Sequence, residues 1–503
     1  MAITPVFESI KLNKKQAEIK DQVKVNTTLS VLSEDVKKIL SATAFSVVTD
    51  KSIVNGKIKY GGRVNFFISY VNNEGKIEKT ESATEFLSEL ALNDLLDDDD
   101  IRIITKTEKV SVDLSGGKAV ATAYIGVFAT VFSSASVSVL SGGEELIVDS
   151  KEVPFVKSLG KKEAVMPVEE QFELNLEIEQ VLYHRVSATI TSVGCGVGSI
   201  IVDGQTLFSV IALQKNSKGN IIREDRTIPF RMEIECEEAM PALSANAIVI
   251  EKAFKTDVKV EEDTGKSTIT LYATLSFIGE AFMESSAVIV CDAFSLDEHV
   301  ELKPSCFPYY KVCDMRSNRE EIFTRHAIEE LPAGTSLCAV GEERAEVLTS
   351  EIVGGKIKVT GIICARLYFV DGEGLYFSTL SEAPFEVYLE APVSEDASLT
   401  VMAKAEKARA RVVSNTEVEV SLEVYFNVYP CVNGIINYVS EVNSLGKKEP
   451  DTHAISVYIP TPGEDLWGLA KRLNVQPETL VETNKDLRFP LTGDERIVIY
   501  RRK

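Results

Sequence analysis

Tryptophan is all but missing from this 503-residue chain, with Trp467 the sole example, and histidine occurs four times, at His184, His299, His326 and His453. None of the eight cysteines precedes Cys195, and no two are spaced as CxxC. These scarcities exclude several chemistries. A zinc site needs clustered Cys or His ligands, and His326-Ala-Ile-Glu329 supplies half of an HxxE pattern with no second His behind it. A disulfide-stapled domain needs denser cysteines, and several here sit inside apolar runs, as Cys291 does in AVIVCDAF and Cys364 in GIICARLYF. Reduced, buried thiols are therefore expected. No GxSxG occurs, and Gly194-Cys195-Gly196-Val197-Gly198 lacks the third spaced glycine and the helix of a nucleotide-binding loop. No cofactor is implied.

Positive charge is scarce as well. Lys and Arg number 54 against 76 acids, a formal charge of −22. A polyanion needs a basic face, so nucleic acid is excluded as a partner. The excess lies before Pro450, since the segment beyond holds eight acids and eight bases. The start, MAITPVFESIKLNKKQ, has no apolar h-region, so no signal peptide is expected. The longest uncharged run, Ala119–Leu140, contains serines and is bounded by glycine pairs. It reads as two buried strands with a turn near Ser133–Ser134, not as a transmembrane segment.

Repetition is what the sequence does have. Three segments starting at Gly62, Gly204 and Gly361 share one pattern: an apolar run, a turn with glycine (Gly75, Gly219, Gly374), an alternating polar run, then an aromatic (Phe86, Phe230, Phe385). The glycine-to-aromatic interval is eleven residues in all three. Gly supplies the positive φ of a tight hairpin, and Asn72, Asn73, Asn216 and Asp371 are turn formers beside it. Downstream, segments from Ile101, Ala247 and Leu399 each give a strand, a charged turn (Ser115–Gly117, Glu262–Gly265, Ser414–Thr416) and a second strand. The three copies read as sharing no polar residue, as tiled binding surfaces would.

The expected fold is mainly β: three tandem sandwich or barrel-like modules over 1–150, 151–305 and 306–445, then a small domain over 446–503. Two copies of SLGKKE, at Ser158–Glu163 and Ser444–Glu449, each read as following the end of a module, and the second leads into EPDTHA, a polar, Pro-containing stretch expected to be the linker to the last domain. The stretch from Ala83 to Asp100 has a helical pattern whose later part suggests one turn of helix. Asp97–Asp100 reads as a solvated loop, without the spacing of a calcium loop.

From Ile455 the pattern changes. A strand (Ser456–Ile459) leads to Pro462-Gly463-Glu464-Asp465-Leu466-Trp467. Asp465 is placed to N-cap a helix whose Leu466, Leu469, Ala470 and Leu473 make one stripe. Pro477 begins a second helix to Asn484, and Arg496–Tyr500 closes as a strand. This βααβ order resembles a LysM domain. The resemblance implies a ligand groove formed by Gly463, Glu464, Asp465 and Leu466 with Asp486, Leu487, Arg488 and Phe489, and N-acetylglucosamine glycans such as peptidoglycan as ligands. Asp465 departs from the usual Ser or Thr, and Lys485 from the usual Pro. Trp467 reads as an anchor at the helix start, not as a sugar platform.

Repeated β modules before a terminal LysM domain resemble the SPOCS-domain proteins, of the SipL-type spore-coat morphogenetic group. That resemblance implies a non-enzymatic adaptor in the mother-cell cytoplasm, tethering the coat's basement layer to the forespore surface. Its implied partner is a self-assembling coat morphogenetic ATPase, contacted through the LysM domain. Docking to peptidoglycan is the alternative that a LysM domain allows.

Overall fold

In the computed structural model the chain is mainly β, with two short helices near its C-terminal end. The structure describes all residues except 1–2, 32, 94, 98, 216–219, 262, 313, 391–392, 396, 450–452 and 501–503. Asn216, Gly219, Glu262 and Cys313 thus lie outside the described residues. Among those described, no helix is long and apolar enough to cross a membrane.

The first unit comprises β1 (Thr4–Thr28), β2 (Val36–Val54), β3 (Lys57–Asn72), β4 (Ile77–Ala91), β5 (Asp100–Asp113) and β6 (Val120–Glu144). They pair antiparallel as β1-β6-β5 and β2-β3-β4. The second unit repeats this order. β7 (Ile147–Leu174), β12 (Lys266–Phe294) and β11 (Ser244–Glu261) form one sheet; β8 (Ile178–Cys195), β9 (Ser199–Gln214) and β10 (Ile221–Glu235) form the other. In the third unit the first strand is broken into β13 (Glu298–Val312) and β14 (Arg316–Ala327). Both pair with β19 (Glu417–Lys447), which also pairs with β18 (Ala397–Ser414). The middle sheet is β15 (Ser336–Val353), β16 (Lys356–Val370) and β17 (Tyr376–Leu389). Within each unit both sheets contribute to one apolar cluster.

The repeated glycines and aromatics have a direct explanation. Gly62 faces Phe86 across β3–β4, Gly204 faces Phe230 and Gly361 faces Phe385. A Cβ on these glycines would lie 2.7, 2.4 and 2.6 Å from the phenyl ring, and 2.0 to 2.3 Å from a carbonyl oxygen of the preceding strand. Glycine there lets the ring lie across the strand, where a side chain would collide. The hairpin turns are equally explicit. The carboxamide of Asn72 accepts from the N–H of Glu74 and Lys76, and Asp371 accepts from Glu373 and Leu375 in the same way. Gly75 and Gly374 follow at φ +82° and +83°.

Several expectations are corrected. Ala83–Ala91 lies in β4, because its alternation is satisfied by pairing with β3, and no helix follows among the described residues up to Asp100. Ala119–Leu140 is not two strands. From Val120 onward it belongs to β6, which runs past Ser133 and Ser134 unbroken because β1 pairs along its whole length. Asp99 is buried and accepts from the Leu96 N–H, and Asp100 pairs with Lys161, so this loop is not simply solvated. The first SLGKKE copy does not follow a finished module, and residues 450–452 of the expected linker lie outside the described residues. Ser158–Glu163 lies inside β7, and Ser444–Lys447 ends β19. In each, the glycine N–H donates to the serine hydroxyl two residues before it, and that serine donates to a glutamate, Glu280 or Glu298. The module boundaries drawn at 150, 305 and 445 fall within β7, β13 and β19.

Nor do the copies lack a shared polar residue. A Glu–Lys pair occupies the bulge of the fifth strand in each: Glu108-Lys109, Glu251-Lys252 and Glu406-Lys407. Lysines at or beside these bulges link the units head to tail. Lys252 Nζ donates to Val48 O of the first unit at 3.4 Å. Lys404 Nζ reaches Ala188 O of the second at 2.7 Å, and Lys106 Nζ reaches Ala345 O of the third at 3.3 Å. Each runs from one unit to the second strand of another, and the three contacts close a ring.

At the junction of the units, Leu40, Val71, Leu182, Tyr183, Ile211 and Tyr368 form an apolar cluster. Beside it Glu343, fully buried, receives Arg223 Nη2 at 2.8 Å and lies 3.5 Å from Arg185. Burial opposes the charge of Glu343, but the two guanidinium groups outweigh it and hold its carboxyl below the usual range. Away from this body, the ends of the long strands pair as three two-stranded ribbons. They pack on one another through Leu12, Val139, Phe155, Ile289 and Ile436, forming a stalk.

Candidate functional site

The stalk leads to the C-terminal domain, where β20 (Ile455–Tyr458), α1 (Leu466–Leu473), α2 (Pro477–Thr483) and β21 (Ile497–Tyr500) follow in order. β20 and β21 pair antiparallel. Asp465 caps α1, its carboxylate accepting from the Gly468 N–H at 2.7 Å. Leu469, Ala470 and Leu473 are buried on one stripe, and each leucine contributes on the order of 2 kcal/mol by leaving water. Leu480 of α2 and Ile497 and Ile499 of β21 complete the core. Asn484 ties α2 to β21, donating to Val498 O at 2.8 Å and accepting from the Val498 N–H at 2.7 Å.

The eight groove residues divide by environment. Gly463 stands at φ +86°, its N–H donating to Leu491 O at 2.7 Å, while the Leu491 N–H returns a bond to Glu464 O at 3.0 Å. The two loops are thus joined, but through Leu491 and not through 486–489. Glu464 takes a two-pronged contact from Arg472 at 2.8 and 2.9 Å, which holds its carboxyl below the usual range. Leu466, Leu487 and Phe489 are half-buried and pack against the domain core. Asp465, Asp486 and Arg488 are exposed. The site can therefore offer backbone groups, an engaged carboxylate and a few exposed charges.

Trp467 faces the stalk. Its Nε1–H donates to Asp292 Oδ2 at 2.8 Å, and its ring meets Phe294 edge-on with centroids 5.2 Å apart. Asp292 was not legible as a partner, because it sits inside the apolar run AVIVCDAF of β12 and only the fold brings it to α1. The other side of the β20–β21 sheet is open. Residues directly opposite in an antiparallel pair share a face. Ile455, paired with Tyr500, and Val457 are 60%, 59% and 57% exposed, and Ile459 just beyond β20 is 60% exposed.

Elsewhere two of the histidines lie against threonines. His184 Nδ1 lies 2.8 Å from Thr256 Oγ1, and its ring stands edge-on to Phe67 and Phe254. Burial pushes its pKa down to about 4. His326 contacts Thr324 in β14. Among the described residues, no three or more His, Cys, Asp or Glu side chains are grouped to hold a metal.

Residues 35–115 match the family model described as SipL, SPOCS domain. The match spans β2 to β5, that is, the middle sheet of the first unit and the strand beside it. No curated protein and no solved structure matches the chain. The SPOCS match in the first unit suggests a sporulation-related role.

Proposed function

We propose that the protein is a non-enzymatic adaptor of spore-envelope assembly. All three units are SPOCS-like modules and the C-terminal domain is a LysM domain. Together they tether coat basement-layer proteins at the forespore surface, on the mother-cell side. The observation that carries this reading is the open sheet face of Ile455, Val457, Ile459 and Tyr500. A contiguous apolar face suits a protein partner better than a hydroxyl-rich glycan. The partner implied by the family resemblance is a self-assembling coat ATPase. Strand order repeated over three units, with the inter-unit lysines spent on holding the ring, supports a scaffold and not a catalyst.

Co-sedimentation of the purified full chain with polymers of the coat ATPase tests this. Wild-type protein should pellet with the polymers, and Val457→Glu should stay in the supernatant with an unchanged circular dichroism spectrum. Retention on insoluble peptidoglycan at physiological salt, with no ATPase binding, would replace this reading by cell-wall docking. Muralytic activity in a zymogram would overturn both.

A further inference from the structure

The joint between the second and third units encloses an acid that no cation touches. Glu406, in the bulge of β18, is 0% exposed. Its Oε2 accepts from Gln205 Nε2 of β9 at 2.7 Å, while its Oε1 is buried without a partner among the described residues. Thr189 of β8 stands opposite Gln205, so the two side chains share the face turned to Glu406. The Thr189 hydroxyl lies against the same carboxyl, and it too is buried and unpaired.

The charges around this carboxyl are engaged elsewhere. Arg185 of β8 donates through Nη2 to the main-chain carbonyls of Ala405 and Glu406, at 2.6 and 3.4 Å, and gives the carboxyl no bond. Lys404 reaches Ala188 O and Glu251 Oε1, both at 2.7 Å. Arg319 of β14 pairs with Glu423 of β19, beside the Tyr425 ring. Lys407, the next residue, does not reach either carboxyl oxygen. The corresponding acid of the first unit differs. Arg344 holds the Thr107 and Glu108 carbonyls as Arg185 holds those of Ala405 and Glu406, but Glu108 is only half-buried and its charge meets water. A carboxylate shut away from water needs a cation or a full set of donors, and a neutral acid does not. A hydroxyl donated from Thr189 would still leave the charge of Glu406 without a cation. A proton on Oε1, given to the Thr189 oxygen, pairs both orphaned atoms and removes the charge.

We propose that Glu406 is a proton-operated lock on this joint. Protonated, it donates from Oε1 to Thr189 Oγ1, and the second and third units close. Ionised, it draws water between β8 and β18, and the ring opens there first. Burial pushes the acid's titration above the ordinary carboxyl range; Gln205, Thr189 and Arg185 oppose this, and Glu423 adds to it. The opened joint therefore releases the proton at lower pH than the closed one. Stability falls as pH rises through that interval.

Hydrogen exchange of the full chain follows the lock. From the ordinary carboxyl range up to the pH at which Glu406 ionises in place, one proton is linked to opening. Exchange across Ala397–Ser414, corrected for the intrinsic rate, should there rise about tenfold per pH unit. Glu406→Gln keeps the shape and neutrality of the protonated acid. It should show no such rise, and its denaturant midpoint should gain on the wild type as pH increases. Glu108→Gln should keep the wild-type profile. A midpoint difference between wild type and Glu406→Gln that does not vary with pH would overturn the lock. So would a Gln variant that exchanges freely or fails to fold at every pH, because the carboxylate and not the acid would then be what closes the joint.

Discussion

At the scale of single residues, a glycine and a histidine of the second unit are each held to one narrow requirement. Gly204 must have no side chain, since a Cβ would lie 2.3 Å from Thr189 O and 2.4 Å from the Phe230 ring. Gly204→Ala should therefore destabilise the second unit by about 1–3 kcal/mol, the usual cost of overpacking. Gly194→Ala, where a Cβ would meet nothing within 4 Å, should be nearly neutral; thermal unfolding of both variants checks the contrast. His184 must have no charge. Its pKa is about 4 in the folded protein against roughly 6.5 unfolded. Between those values the unfolded chain binds more protons, so stability falls as pH drops from about 6.5 to 4. Lys79 disfavours the proton as burial does, while Glu81 favours it. Allowing for the ring's partial exposure, the loss is about 2 kcal/mol. Denaturant midpoints measured across this range should flatten in His184→Phe.

At the scale of elements, what could be read beforehand was local. The hairpins were legible because Asn72, Gly75, Asp371 and Gly374 make their turns within a few residues. So was the capped, striped α1, because its signals lie within one turn of helix. The continuity of β6 was not legible. Ser133 and Ser134 look like a turn, and only pairing with Lys14 and Asn13, more than a hundred residues earlier, keeps the strand straight. The shared Glu–Lys pairs were overlooked because they sit on bulges, where alternation breaks. The acids at the junction of units were hidden for the same reason: Glu343 in β15 finds Arg185 in β8 and Arg223 in β10. Breaking a buried pair strands the other charge, so Glu343→Ala should cost about 3–5 kcal/mol. Because the pair joins the second and third units, calorimetry should show their common transition splitting in two.

At the scale of the whole molecule, the ring and the tail depend on each other unequally. The clusters that build the three units, their junction and the middle of the stalk include no residue from Ile455–Tyr500. The C-terminal domain, in contrast, draws Phe294, Ile147 and Leu296 of the stalk head into its own core. Contacts of this kind leave the body of three units able to fold without the tail. A chain ending at Lys448 should therefore melt within about 2 °C of the full-length body in a calorimetric scan, given how little stability a surface contact adds to so large a core. Ending the chain at Asp297 is a different matter. That cut removes the third unit, uncovers Leu182, Tyr183 and Ile211, and leaves Arg185 and Arg223 without Glu343. The shortened protein should associate or precipitate, which analytical ultracentrifugation would register as the loss of its monomer peak. If it instead stayed monomeric with an unchanged melting point, the three units would be independent beads, and the lysine contacts that link them would be incidental.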